Sequence, residues 1–429
     1  MHLKTDKALA KRVGERIRQL RRLRNLAQID LARDIGIKAG PMNLIEKGNH
    51  LPSGKVLYKI AQALGVPIDE LFRPSPDTDE PYLLEVEEVT TTKKKDIADP
   101  IFKKRVQIGG PRIFPVLGMK KATLGDLRKI NRLALTFLAL EDLCKAQKRA
   151  ILPLFFPFVP HEAGIEELVL RVRTALGIGH AVIFDYFELL ENAGLRVIVC
   201  DFEGDVESLC AYDEANANAF LFIRNKMNPE RMLFRLIFEL GRIYWHTLTL
   251  FSGSLSYELK RSMVQEQEVA KKFAALFLMP AAAVRATVAQ TGVEPNLWTF
   301  DLLLRLKHRF GVSAEAFLLR LEELNLIEHH LVDEFRAKIY AYYEETKFGE
   351  PDTTRRILTP NGRIGDLLHM ALIKSSVKDR GELHQIARIL ERDGILDIAG
   401  ISKEWVQEAL ARLDQKAEAE QSEEKEEEE

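Results

Sequence analysis

Between residues 7 and 72 apolar side chains recur at helical spacing in short runs, and glycines punctuate them at Gly36, Gly48 and Gly65. Leu31, Ile35, Met42 and Ile45 fall where one shared core would take them, so the pattern predicts a compact set of short helices. Residues 27–36 form one of these helices, ended by a glycine, and 37–48 hold a second, which is helix-turn-helix spacing. Ala32 is small where the two helices must cross, and Gly36 permits the tight turn. Prolines 74, 76 and 81, set among acids and hydroxyls, cannot continue a helix, so 73–81 reads as a linker.

The pattern then changes character. Residues 82–89 alternate as an edge strand would, and 93–120 read as irregular. Thr123 opens a helix predicted to run to about residue 152, with Asp126 placed to complete its cap. Its apolar positions are too dense for a surface helix, so it is expected to be a packing or dimer element. Helices are predicted over 163–175 and 181–193, strands over 195–202 and 219–223, and two long helices over 228–250 and 258–279. Shorter helices follow to Leu413. The acidic, low-complexity end from Asp414 is expected to be disordered.

Composition narrows the class. With 46% hydrophobic and 29% charged residues, the chain has ample material for sizeable cores, which excludes global disorder. No run of eighteen residues is apolar and uncharged, so no membrane span is expected. The basic start has no apolar stretch behind it, so no secretory signal is expected, and the predicted location is cytoplasmic. Cys144, Cys200 and Cys210 are few and lack CxxC spacing, as reduced packing residues would be. Residues 1–60 carry 14 basic against 5 acidic residues, a net +9, while 414–429 carry 2 against 9, a net −7. A basic head is the footprint of a nucleic-acid-binding module.

Several fixed spacings in that head lead to a family. Arg16-Ile17-Arg18, Gln28, Leu31-Ala32, Gly36, Ile45-Glu46-Lys47-Gly48, Pro52 and Ile60-Ala61 with Leu64-Gly65 together resemble the phage-repressor-like, or XRE, helix-turn-helix family. The resemblance covers about 60 residues. It implies that residues 38–46 enter the DNA major groove, N-terminal end toward the base edges. Asn43 is then the expected base reader, since an amide pairs bidentately with adenine. Lys38 and Lys47 are expected to reach guanine or phosphate, and Gln28 resembles the family's backbone-and-base glutamine. Gly40-Pro41 departs from the small hydroxylic or polar residues usual there. Pro41 is tolerated in a first helical turn, and the pair removes base contacts. Arg18, Arg21, Arg22 and Arg24 either touch phosphates or solubilise the first helix.

A second resemblance rests on residues 219–280. The strand-like run ending at Asn225, the helix Arg231 to His246 and the helix closing at Met279-Pro280 resemble the ImmA/IrrE metallopeptidase family. Leu189 to Gly194 with the following strand, and Phe310-Gly311-Val312-Ser313, extend the match to about 165–328. Such a peptidase needs His-Glu-x-x-His, because residues four apart put two imidazoles on one helix face toward one zinc ion. Here Phe238 and Arg242 stand at the histidine positions, and only the base position, Glu239, is retained. The third ligand position falls on Gln267, flanked by Glu266 and Glu268, so a one-residue slip restores a carboxylate there. His246 lies seven residues, roughly 10 Å, beyond Glu239 along the helix, too far for the two to share an ion. Glu239 is expected to pair with Arg242 instead.

The expected protein is mainly α. A five-helix repressor-like domain (1–73) precedes a linker and long connecting helix (74–160). An α+β zincin-like domain with a small sheet (161–328) follows, then a helical region (329–413) and the disordered tail (414–429). It is expected to be a sequence-specific DNA-binding transcriptional regulator and not an enzyme, with an inactive peptidase-like sensor or assembly domain. No cofactor or metal is expected. Double-stranded operator DNA, a second copy in a homodimer and a small-molecule or protein effector are the expected partners; a membrane is not. An active zinc peptidase acting on a regulatory protein, and an antitoxin-like protein-binding module, stand as alternatives.

Overall fold

The computed structural model describes residues 2–22, 26–64, 68–72, 112–113, 122–251, 263–347, 349–353, 356 and 358–428. The predicted linker over 73–81 and edge strand over 82–89 lie outside them. The chain divides into two compact units, one holding the N-terminal helices and the other most of the chain from Phe114 onward.

In the first unit, α1 (His2–Arg22), α2 (Gln28–Ile35), α3 (Ala39–Glu46) and α4 (Gly54–Leu64) are followed by a 3-10 turn, Ile68–Phe72. Val13, Ile17, Leu31, Ile35, Met42, Ile45, Ile60 and Leu64 share one buried cluster. Gly36 takes a left-handed φ of 76°, and the Ile37 N–H then closes onto Ala32 O at 2.9 Å, which satisfies an orphan carbonyl at the end of α2. Two other glycines set how closely α1 crosses α3. A Cβ on Gly14 would lie 2.2 Å from Ile45 O, and one on Gly48 would lie 2.3 Å from Lys11 Cα.

In the second unit, α5 (Leu124–Leu143) opens on a capping box in which Thr123 and Asp126 satisfy each other's backbone N–H groups. It stops nine residues before the predicted end. Lys145 turns left-handed at φ 51°, Ala146 N bonds back to Glu141 O at 2.8 Å, and Ile151 and Leu152 then donate to Ala193 O. No glycine or proline marks that turn, so apolar periodicity alone ran through it. Then come α6 (Glu162–Ala175) and α7 (Tyr186–Asn192). The second is shorter than expected because Asp185 caps it, accepting from Phe187 N at 2.8 Å.

Strands β2 (Arg196–Cys200), β3 (Ser208–Asp213) and β4 (Asn218–Arg224) follow; the two-residue strand Arg112–Ile113, β1, completes the sheet order β1-β3-β4-β2. β2 runs parallel to β4, with Val197 opposite Leu221 and Val199 opposite Ile223. The turn of 214–217 joining β3 to β4 is too short for a parallel crossover, so the sheet is mixed. β3 is a strand that the sequence pattern did not predict; β1 falls in the stretch read as irregular.

Two long helices carry the second unit's centre: α8 (Pro229–Phe251) and α9 (Met263–Leu278). Proline opens α8 at a position where its missing N–H costs nothing. At Gly241 a Cβ would lie 3.1 Å from Ala270 Cα, so glycine allows α8 and α9 to touch backbone to side chain. Four further helices lead to Thr346: α10 (Ala281–Ala289), α11 (Phe300–Phe310), α12 (Ala314–Glu323) and α13 (His329–Thr346).

The last helices are α14 (Gly362–Lys374), α15 (Arg380–Arg392), α16 (Ile395–Ile398) and α17 (Lys403–Glu428). They belong to the same compact unit as β2 and nearly all of β4. The fully buried Asn361 side chain pairs with the open edge of β2, accepting from Val199 N at 2.7 Å and donating to Val199 O at 2.9 Å. That occupies an edge otherwise free to pair with another strand. The acidic end corrects an expectation: α17 continues through it as helix to Glu428. Leu410, Leu413 and Ala417 are buried, Asp414 accepts from His384 at 3.1 Å, and alanine, glutamate and lysine are strong helix formers.

Candidate DNA-binding face and altered metallopeptidase centre

Helix α3 divides cleanly into two faces. Met42, Ile45 and Glu46 are buried, while Lys38, Ala39, Gly40, Pro41, Asn43, Leu44 and Lys47 are exposed. The expected readers Lys38, Asn43 and Lys47 therefore share a solvent-facing surface with Gly40, the candidate position that brings no side chain to it. A Cβ on Gly40 would meet nothing within 4 Å, so the surface there is flat and bare. Leu44, 48% exposed on this face, and Ile29, 64% exposed on α2, were not anticipated.

Behind that face sits Glu46, which sequence reasoning also missed. Its carboxylate receives Arg21 Nε at 2.6 Å and Nη2 at 3.0 Å, a fork geometry, and Gln28 Nε2 at 2.8 Å. Arg21 Nη1 also donates to Leu26 O at 2.6 Å. The Glu46 hydrogen bond raises the Arg21 pKa, against burial, and the Glu46 charge adds to the rise. The amide of Gln28 thus supports the buried carboxylate, leaving its carbonyl oxygen for other contacts. Arg21 ties α1 to α3, and Arg18 remains exposed. The signal for the hub was the Glu46 position inside an otherwise apolar helix end.

In the second unit the geometry around Glu239 is closed. Glu239 and Arg242 are fully buried and Phe238 is 2% exposed. Arg242 Nη1 lies 2.7 Å from Glu239 Oε2 and its Nε lies 2.5 Å from Glu266 Oε1. The other Glu239 oxygen accepts from Ser208 Oγ of β3 at 2.6 Å. Both carboxylate oxygens of the retained base position are therefore occupied. The expected contact of Arg242 with Glu239 is present. The carboxylate reaching this centre from α9 is Glu266, one residue before the expected Gln267, which is only half-buried. One residue on a helix is a 100° rotation, so an alignment slip of one changes which side chain faces inward.

His246 also joins this centre, though not through Glu239: its Nε2 lies 3.4 Å from Glu266 Oε1. Burial lowers the His246 pKa, with Arg242 adding to the shift and Glu266 opposing it. Burial pushes the Glu266 carboxyl up, but the Arg242 charge and the hydrogen bonds from His246 and Arg242 outweigh it and hold it down at about 2. Burial raises the Cys210 thiol well above its ordinary range, so Cys210 is a packing thiol.

These residues do not fit a zinc ion. A catalytic zinc site presents three imidazole, thiolate or carboxylate ligands around one open position. Here a guanidinium, which stays protonated in proteins, bridges the two available carboxylates. Among the described residues no three His, Cys, Asp or Glu side chains gather to hold a metal.

A helix-turn-helix unit and a small-sheet unit with two long packed helices define a two-part chain of regulator type. Residues 14–74 match a helix-turn-helix domain family and residues 190–322 match the IrrE N-terminal-like domain of the M78 peptidases. An uncharacterized HTH-type transcriptional regulator of Methanocaldococcus jannaschii, MJ0272, is 40% identical over 57 residues, 13% of this chain and 86% of its own. An uncharacterized HTH-type transcriptional regulator of Bacillus subtilis, YazB, is 38% identical over 61 residues, 14% of this chain and 88% of its own. The chain belongs to the HTH-type transcriptional regulator family, with an IrrE N-terminal-like domain in its second part. A crystal structure of Bacillus thuringiensis PlcR with the peptide PapR7 and DNA aligns over 96% of this chain and 98% of its own at 12% identity. Its TM-score of 0.14 carries nothing over. Among the described residues no single helix is long and apolar enough to cross a membrane.

Proposed function

We propose that the chain is a sequence-specific DNA-binding transcriptional regulator that works in the cytoplasm as a homodimer. Its IrrE-like domain has no peptidase activity and serves as a sensor or assembly module for a small-molecule or protein effector. The observation that carries the DNA-binding half is the division of α3, with Lys38, Asn43 and Lys47 exposed and the opposite face buried, while Gln28 on α2 is half-buried. A single short recognition helix reads few bases, so two copies on a two-fold operator supply the specificity. Support for the inactive half comes from Glu239, which is fully buried and whose two oxygens are each engaged, by Ser208 and by Arg242.

Genome-wide mapping of bound DNA, followed by gel-shift titration of the full chain on the recovered sites, tests the first half. Binding is expected to weaken steeply with salt, because neutralised phosphates release counterions. Equal affinity for recovered and random duplexes at every salt concentration would remove sequence specificity. Elemental analysis tests the second half. Purified protein is expected to hold no stoichiometric zinc. One tightly held zinc per chain, with a partner protein cleaved by wild type and spared by Glu239→Gln, would establish a peptidase instead.

A further inference from the structure

We propose that Arg242 stands in for the metal dication: its guanidinium is a built-in counter-ion that cross-links Glu239 of α8 to Glu266 of α9 and closes the centre without metal. This rests on the reading of the domain as metal-free. Two carboxylates are buried within reach of one guanidinium, at 2.7 Å and 2.5 Å. Two carboxylates so enclosed require a cation, because an unpaired buried charge is strongly destabilising. Here a side chain supplies one positive charge shared between the two carboxylates, and being covalently attached to α8 it cannot leave.

The surroundings fix this arrangement from several sides. Close approach at Gly241 holds α8 against α9, so the carboxylates cannot separate to reach solvent. Ser208 brings β3 into the same chain of hydrogen bonds, and His246 flanks Glu266 on the far side. Phe238, at the first histidine position, is 2% exposed, stacks on Phe234 at 6.3 Å between centroids and lies under Arg235. A planar, forked cation suits two carboxylates approached from different helices better than an ammonium would.

The test uses the full-length chain and three forms: wild type, Arg242→Met, and the triple variant Arg242→Met with Glu239→Gln and Glu266→Gln. Thermal unfolding is followed by calorimetry with and without a zinc chelator. The chelator is expected to leave the wild-type transition in place. Arg242→Met is expected to lower the transition of the second unit by about 10 °C or to prevent folding. The triple variant removes the charges that Arg242 balances, and is expected to recover at least half of that loss. Recovery alone supports the proposal even where the single variant does not fold. A single variant within about 2 °C of wild type, or a triple variant no better than the single one, would overturn it. Either of those results leaves the metal-free reading standing, whereas stoichiometric zinc in the wild type, with a chelator-sensitive transition, brings down both.

Discussion

Both units set an arginine against buried glutamate, Arg21 half-buried beside Glu46 and Arg242 fully buried between Glu239 and Glu266, and they differ in where that pairing lies. In the helix-turn-helix unit the pair Arg21–Glu46, with Gln28 as third member, lies behind the functional face. It braces α1, α2 and α3 and leaves Lys38, Asn43, Leu44 and Lys47 exposed. In the IrrE-like unit Arg242 lies between Glu239 and Glu266 and pairs with both carboxylates. The same interaction stands behind an exposed face in one place and fills a buried centre in the other. What decides between them is the position of the ion pair relative to the face.

The largest expected effect in the first unit follows from its brace. Glu46→Ala leaves Arg21 and Gln28 without their acceptor. Removing one member of a buried pair costs about 3–5 kcal/mol; Arg21, with its side chain 12% exposed, recovers some hydration, so about 3 kcal/mol is expected. Chemical denaturation of a fragment ending at residue 73 measures it, and a loss under about 1 kcal/mol would make the pair incidental.

The second unit is expected to show a pH dependence of comparable size. Burial pushes the Glu191 carboxyl up to about 8, with the Asp185 and Asp366 charges adding and Arg363 opposing. Its folded value lies above its unfolded one, near 4.5. Its contribution is therefore complete below pH 4.5 and declines as pH rises toward 8. Glu266 has the opposite sign: its contribution is present above about 4.5 and lost as pH falls toward 2. Glu191→Gln is expected to flatten the decline between pH 5 and 8 by on the order of 3 kcal/mol. Parallel pH profiles for variant and wild type would show that Glu191 ionises normally.

Asn43→Ala sharpens the comparison at the exposed face. It is expected to cost about 1–3 kcal/mol on the preferred site and much less on random duplex. Its stability should stay near wild type, because Asn43 is exposed. Equal loss on both DNAs would make Asn43 a phosphate contact.

How far these features were legible in the sequence differs between the units for physical reasons. The first unit is short-range: glycines end its helices, and local apolar spacing sets its core, so α2, α3 and the exposed reading set could be placed. Glu46 was not, since its partner Arg21 lies 25 positions away and no local pattern pairs them. In the second unit the phase of α8 was legible from Phe238, Glu239 and Arg242 on one helix. The choice of Glu266 over Gln267 was not, because one residue turns the inward face by 100°. β3 escaped notice because its apolar run, Leu209 to Tyr212, is only four residues long; the polar residues at its two ends are buried, with Ser208 bonded to Glu239 and Asp213 to Asn216. The acidic end reads as disordered by charge alone, yet Leu410, Leu413 and Ala417 anchor its helix.

The smallest expected effect separates packing from recognition at one residue. Gly40 lies inside α3, where glycine is less favourable than alanine by about 0.5–1 kcal/mol, and open space surrounds its missing Cβ. Gly40→Ala is therefore expected to stabilise the isolated helix-turn-helix unit by about that amount. Pro41 follows directly, and its Cδ disfavours a helical residue with a Cβ before it, which offsets part of that gain; beyond this neighbour, glycine there is expected to matter for how closely the helix backbone approaches DNA. The same substitution is then expected to weaken specific binding even as stability rises. Thermal unfolding and gel-shift titration of one preparation read both quantities. Unchanged affinity alongside raised stability would place Gly40 away from the bound duplex and shift the reading surface toward Asn43, Leu44 and Lys47.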